Sequence, residues 1–159
     1  MAITINGSGT IAGISAGGLP LGAGGKTAQV LQAVKTDTFS TSSSSSFVDI
    51  TGLSVNITPG SASSKILILT QIAAFNDTTA TSMYYSLYRA TTNLAGASGF
   101  VRTYNGGSNL GSSVAMNFLD APSTTDAREY SVYVKVNSGI GSISVNGATS
   151  TITALEIAG

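Results

Sequence analysis

The sequence predicts an all-β protein, an antiparallel β-sandwich or jelly-roll-like knob that carries an extended N-terminal arm. No stretch of useful length places apolar residues at the i, i+3, i+4, i+7 spacing of a helix. Ser, Thr and β-branched residues dominate, and eight to ten short apolar or alternating segments are separated by turn signals. Ile, Leu, Val and Phe supply 39 of the 159 residues, enough to exclude a disordered chain and to build one core.

The chain divides into an arm with a Gly-rich linker, residues 1–28, and a knob, residues 29–159. The first charged residue is Lys26 and the first aromatic residue is Phe39. The arm has too little apolar surface to fold alone, yet its isoleucines alternate or recur at intervals typical of a β-strand. We expect these residues to anchor the arm to a partner protein: Ile3, Ile5, Ile11 and Ile14.

The knob is read as a succession of strands. Residues 30–39 are predicted to form the first strand, and the Ser-rich residues 40–46 are predicted to form a loop. Residues 65–75 are apolar on both faces, which indicates a central or doubly buried strand. The remaining strand candidates are residues 47–50, 53–58, 83–89, 99–104, 113–119 and 129–137. In the last of these, alternate residues from Tyr130 to Val136 share an apolar face.

Residues 143–157 predict a hairpin at the end of the chain. Asn146 and Gly147 are suited to the two positive-φ positions of a type I′ turn. With a two-residue loop, Val145 would face Ala148 and Ile143 would face Ser150.

Composition excludes several classes of function. There is no His and no Cys, so the usual nucleophilic triads, disulfides and zinc or haem sites are missing, and we expect no catalytic site, cofactor or metal. The formal net charge is zero without a basic cluster, so nucleic acid is not an expected partner. No apolar run is long enough to span a membrane, and the N-terminus lacks the pattern of a secretory signal.

Three acidic residues and six tyrosines are the residues that could form a site. Asp120, Asp126 and Glu129 flank a Pro-Ser-Thr-Thr turn, where carboxylates usually shape turns or meet solvent. Tyrosine suits sugar stacking and protein interfaces. The candidate receptor-binding loop is Tyr104 with the polar segment that follows it, including Asn105 and Asn109.

Several stretches resemble bacteriophage virion proteins. Residues 1–20, MAITINGSGTIAGISAGGLP, resemble a recurrent N-terminus of tail-fibre and virion-associated proteins. The later pieces resemble, in the usual order, the small β knob at the end of phage fibres: VLQAV (30–34), FVDITGLSVNITPGSASSKILIL (47–69), LYR (87–89), FLDAPSTTDAREYSVYVK (118–135) and TITALEI (151–157).

The resemblance implies a trimeric β-sandwich on the virion surface with no catalytic site. It leads us to expect a homotrimer, made in the host cytoplasm, whose arm docks to another virion protein and whose loops meet a host surface glycan or protein. The doubly apolar segment 65–75 also favours a trimer. Because the chain has no coiled-coil heptads or repeated shaft, a capsid decoration protein that cements the phage head is the alternative. A small cellular lectin or carbohydrate-active enzyme is disfavoured by the absence of His and Trp.

Overall fold

The computed structural model describes residues 27–159, which form eleven strands and one 3₁₀ turn, Val145–Gly147. The predicted all-β class is confirmed, whereas the arm residues Ile3, Ile5, Ile11 and Ile14 lie outside the described residues. The strands are β1 (Thr27–Lys35), β2 (Phe39–Thr41), β3 (Val48–Ile57), β4 (Lys65–Asn76), β5 (Thr81–Arg89), β6 (Thr92–Asn93), β7 (Val101–Asn105), β8 (Leu110–Asp120), β9 (Arg128–Val136), β10 (Gly141–Ile143) and β11 (Ser150–Ile157).

The strands form two antiparallel sheets of four strand positions each. The first sheet runs β1–β11–β4–β8, and the second runs β3–β9–β5–β7. In the first sheet, β2 occupies the same strand position as β1, and β10 occupies the same position as β11. In the second sheet, β6 pairs with the end of β5. The chain changes sheets at every step from one position to the next except between β5 and β7. This order is that of a jelly roll, in which two sheets face each other across one core.

The core is built from the inward-facing residues of both sheets. Strand β4 alternates strictly, with Ile66, Ile68 and Ile72 completely buried. Strand β9 buries every second residue from Tyr130 to Val136, as the sequence predicts. Burying an aliphatic side chain of this size contributes about 1.5–3 kcal/mol, so these alternating strands supply the main driving force for folding.

Strand boundaries differ from the prediction at two bends. The expected strand 30–39 is broken at residues 36–38, and Phe39 begins the separate strand β2. The expected strands 47–50 and 53–58 are one strand, β3, whose register shifts between Asp49 and Ser54. Gly52 has φ 85° at this shift, a conformation that favours glycine. The strand β1 begins at Thr27, two residues before the expected start of the knob.

The predicted terminal hairpin is wrong. Asn146 (φ 57°) and Gly147 (φ 74°) do have the positive φ values that the sequence indicates. However, β10 pairs with β2 and β4, and β11 pairs with β1 and β4, so the strands on either side of the turn do not pair with each other. The long strand β4 offers pairing positions to both, which is why Ile143 lies opposite Ala74 rather than Ser150.

Residues 144–149, which we call the excursion, therefore interrupt one strand line rather than join two strands. The backbone N–H of Ser144 donates to the carbonyl of Ala73 (2.8 Å). The N–H of Ala73 donates to the hydroxyl oxygen of Ser150 (3.0 Å), and the Ser144 and Ser150 hydroxyls are 2.8 Å apart. Both serines are fully buried, so their side chains close the gap that the missing ladder residues leave.

Candidate functional site

The outer face of the second sheet carries a cluster of aromatic and cationic side chains. Tyr104 projects from β7 and is 54% exposed. Arg102, two residues earlier, lies on the same face because side chains alternate along a strand. We call this surface the tyrosine face; its members are Phe47, Tyr84, Tyr88, Tyr104, Tyr133, Arg102 and Lys135.

Rings and cations alternate across the tyrosine face. Tyr84 pairs in register with Arg102 of β7 and with Lys135 of β9, so these three residues form one row across the sheet. The Arg102 guanidinium carbon lies 5.8 Å from the ring centre of Tyr104 and 6.0 Å from that of Tyr84. The Lys135 ammonium lies 5.2 Å from the Tyr84 ring and 4.8 Å from the Phe47 ring. All four distances are within the range of cation–π attraction.

Neutral groups position both cations. The Arg102 Nε donates to the hydroxyl of the buried Ser82 (3.0 Å), and the Lys135 Nζ donates to the carbonyl of Ala97 (3.0 Å). Within residues 27–159, no carboxylate oxygen lies within 4.0 Å of either side chain. Their charges are therefore held in place without being compensated by an acidic neighbour in this part of the chain.

The rest of the tyrosine face is aromatic and partly acidic. Tyr88 and Tyr133 stack with ring centres 3.8 Å apart and planes 20° from parallel. Asp49 lies opposite Tyr133 in the register. Burial raises the pKa of Asp49, and repulsion from the Glu129 carboxylate raises it further. The face thus has its cations on β9 and β7, on either side of Tyr84, and its carboxylates on β3 and β9.

Only part of the predicted receptor-binding loop is exposed to solvent. Asn105 is buried, and its amide donates to the carbonyls of Asn76 and Thr78, both at 3.0 Å. Its side-chain oxygen accepts the N–H of Gly107 (3.1 Å), so Asn105 shapes the loop instead of facing solvent. Asn109 is exposed and has φ 56°.

Sequence reasoning missed Arg102, Lys135 and Phe47 as neighbours of the tyrosines. The signal was present only in part, because alternation places Tyr84 and Tyr88 on the face opposite Tyr85. Which strands lie beside β5 depends on the sheet order, and that order cannot be read from alternation. The buried Tyr85 confirms the opposite orientation that the sequence indicates.

The acidic residues are not gathered into one site. Asp120 accepts two hydrogen bonds from Arg89 (2.8 and 3.0 Å) and one from the Tyr130 hydroxyl (2.6 Å), which joins the two sheets. Asp126 lies 3.6 Å from Arg128 in an exposed pair. Among residues 27–159, no group of three potential ligands is arranged to hold a metal ion, and no helix is long and apolar enough to cross a membrane.

The outer face of the first sheet is a second unusual surface, which we call the apolar face. Four residues in register form a row across all four strands: Val30, Leu155, Leu67 and Leu119. Val30 is 56% exposed and Leu119 is 49% exposed. The β4 segment, expected to be central or doubly buried, is central in its sheet but buried on one face only, because no other element of residues 27–159 covers Leu69 (41% exposed).

Comparisons with known proteins find only weak structural similarities. No family model matches the chain, and no curated protein matches its sequence. A subviral particle of VP2 from infectious bursal disease virus aligns at a TM-score of 0.45 and 15% identity, covering 82% of this chain and 37% of that one. T=1 particles derived from infectious bursal virus align at 0.43 and 11%, covering 100% and 41%. The chain thus spans about two fifths of the length of these proteins, and its assignment as a β-sandwich follows from its own strand order and register.

Proposed function

We propose that this protein is a non-enzymatic structural protein of the bacteriophage particle surface. It forms a short fibre-like knob, assembles as a homotrimer and is anchored through residues 1–28 to another virion protein. The observation that carries the proposal is the apolar face, a surface that the sandwich itself leaves uncovered. The order of the phage-like sequence pieces supports the same assignment.

The apolar face suits contact with copies of the same chain. Of the outward-facing residues on its four strands, only Lys65 is charged. Given about 4.8 Å between strands and about 3.4 Å per residue, the face extends over roughly 600 Å². This area is that of the whole face, its polar residues included, and it approaches the roughly 800 Å² per partner of a standard interface. A surface with one charged residue meets its own copy with little repulsion.

Sedimentation of the full-length protein tests this assembly. We expect a trimer, and we expect Leu69→Lys with Leu119→Lys to give monomers, because the contact would bury unpaired ammonium groups. Tyr104→Lys is the matched control, since Tyr104 is similarly exposed but lies on the other sheet. Circular dichroism should remain unchanged in all variants. A parent protein that is monomeric at tens of micromolar would contradict the proposed trimer.

Location on the particle distinguishes the two virion roles. Antibody labelling in electron microscopy should place a fibre-like knob on the tail, where its exposed loops can meet a host glycan or protein, whereas a decoration protein would be labelled over the head. The alternative, a capsid decoration protein, is favoured by one sequence feature, the lack of a shaft between arm and knob. In that case, heads lacking the protein would lose DNA at a lower temperature than complete heads.

A further inference from the structure

We infer that the tyrosine face binds a saccharide that carries a carboxylate, with Arg102 and Lys135 pairing with the acid and the tyrosines contacting the sugar ring. This inference rests on the proposed adhesive role of the knob and assigns it to a surface. The surface is centred on the sheet rather than on loop 105–109.

Charge selects the acidic class of ligand. Three other cationic side chains already pair with carboxylates, in Lys35–Asp37, Arg89–Asp120 and Arg128–Asp126. Arg102 and Lys135 differ because their hydrogen-bond acceptors within residues 27–159 are neutral. Two held cations on one face, without an acid between them, favour an anionic ligand. The terminal nitrogens of Arg102 form the planar fork that suits a carboxylate.

Geometry places ring and charge recognition side by side. Arg102 and Lys135 flank the same Tyr84 ring, so an acid bound to either cation brings its attached ring over a tyrosine. The tyrosine hydroxyls offer hydrogen bonds at the rim of an apolar surface, the combination that sugar rings require.

A site made of side chains on the outer face of a sheet favours a saccharide over an acidic peptide. Peptides bind sheets mainly by adding a strand to an unpaired edge or by lying in a groove. Tyr84 and Lys135 lie on β5 and β9, which are paired on both sides. Arg102 and Tyr104 lie on the edge strand β7, where the proposed ligand contacts side chains on the outer face and not the edge of the strand. Asp49 on β3 and Glu129 on β9 would repel an acid, which leaves the surface around Tyr84 and Tyr104 for the ligand.

Matched ligands test the inference on the full-length protein. Tetragalacturonic acid is compared with its methyl ester, and sialyllactose with lactose, by titration calorimetry. We expect at least one acidic probe to bind and its neutral counterpart to bind about tenfold more weakly or not at all. Arg102→Gln and Lys135→Gln should each weaken the acidic probe about tenfold. Arg128→Gln, which removes a partly exposed cation outside the tyrosine face, should leave binding unchanged, and thermal unfolding checks that each variant is folded.

Several results would overturn the inference. They are no binding of either acid at millimolar concentration, equal binding of the methyl ester, or equal binding of an oligo-glutamate peptide. A loss in Arg128→Gln equal to that in Arg102→Gln would also reject the site. Each of these results can occur in a protein that is still trimeric and present on virions, so failure here is distinct from failure of the proposed structural role.

Discussion

Glu156 of β11 is a buried carboxylate whose hydrogen bonds connect β11 with β1 and with the loop between β3 and β4. It is 1% exposed, and it accepts hydrogen bonds from Gln29 of β1 (2.6 Å) and from the N–H of Gly60 (2.8 Å). Gln29 also donates to the carbonyl of Thr58 (2.7 Å). Burial alone would raise the pKa of Glu156, but the hydrogen bonds that it accepts outweigh burial, so its pKa lies below the ordinary value.

This lowered pKa predicts a loss of stability in acid. The contribution of Glu156 is complete above the ordinary pKa of 4.5 and is lost as the pH falls through the lower folded value. Glu156→Gln should cost about 1–3 kcal/mol at pH 7 and should flatten the fall in stability below pH 4.5. Urea unfolding between pH 2.5 and 7 measures both effects. Glu129→Gln, at an exposed position, is the control, and an identical acid profile in the two variants would contradict this role.

Asp120 is the second residue whose contacts predict a measurable effect. It joins Arg89 and Tyr130 of the second sheet to the end of β8 in the first, and it is 7% exposed. We expect Asp120→Asn to cost about 2–4 kcal/mol and Tyr130→Phe about 1–2 kcal/mol, because each leaves a buried polar group without its partner. Asp126→Asn should change stability by less than about 0.5 kcal/mol, since its pair with Arg128 is exposed. Equal losses for Asp120→Asn and Asp126→Asn in chemical denaturation would refute the cross-sheet assignment.

At the scale of elements, the interrupted strand lines are the main departure from a regular sandwich. The break at residues 36–38 lies beside the excursion, because Lys35 pairs with Ser150 and Phe39 with Ile143. Two neighbouring strands therefore stop and restart at the same level of the first sheet.

The Ser150 hydroxyl bridges the gap that the excursion leaves in the first sheet, so removing this hydroxyl should lower stability. Ser150→Ala deletes the acceptor of the Ala73 N–H and the partner of Ser144. We expect a loss of about 1–3 kcal/mol in the free energy of unfolding, the cost of an unsatisfied buried donor. Ser142→Ala, which removes a hydroxyl from the exposed pair with Ser40, is the control. Hydrogen exchange at Ala73 that is no faster in Ser150→Ala than in the parent would argue against the bridging role.

Sequence patterns predict the elements of this fold better than the pairing between them. Alternation in β9 and the apolar run of β4 identify both strands, since each buries every second residue. The φ values of Asn146 and Gly147 also follow from local chemistry. The predicted hairpin is wrong because local turn chemistry says nothing about a third strand. The segments on both sides of the turn pair with β4 instead of with each other. In the same way, the polar segment after Tyr104 identifies this tyrosine as a candidate from sequence alone. Its proximity to Tyr84 follows only from the pairing of β7 with β5.

On the scale of the whole molecule, the two outer faces have opposite characters. The apolar face has one charged residue, while the tyrosine face carries cations, carboxylates and stacked rings. A trimer formed through the apolar face would leave the tyrosine face exposed on every copy. In the proposed trimer, three weak contacts with one host surface would act together, and the joint affinity would exceed that of each contact.

Removal of residues 1–25 separates folding from attachment. All eight strand positions of the jelly roll are filled by residues 27–159, so we expect the truncated protein to unfold within about 1 kcal/mol of the parent. It should remain a trimer but should no longer sediment with particles that lack the protein, because the proposed anchor is missing. Full occupancy of such particles by the truncated form would show that attachment resides in the knob.

The excursion has a practical consequence, because its length is independent of the register of the sheet. Strands β10 and β11 are each held by β4, so extra residues between Asn146 and Gly147 need not displace either strand. The entropic cost of a longer loop grows slowly, by about 0.6 kcal/mol for each doubling. Both residues are exposed, and a side-chain atom added at Gly147 would meet open space. This position is therefore a permissive site at which a foreign epitope could be grafted and displayed.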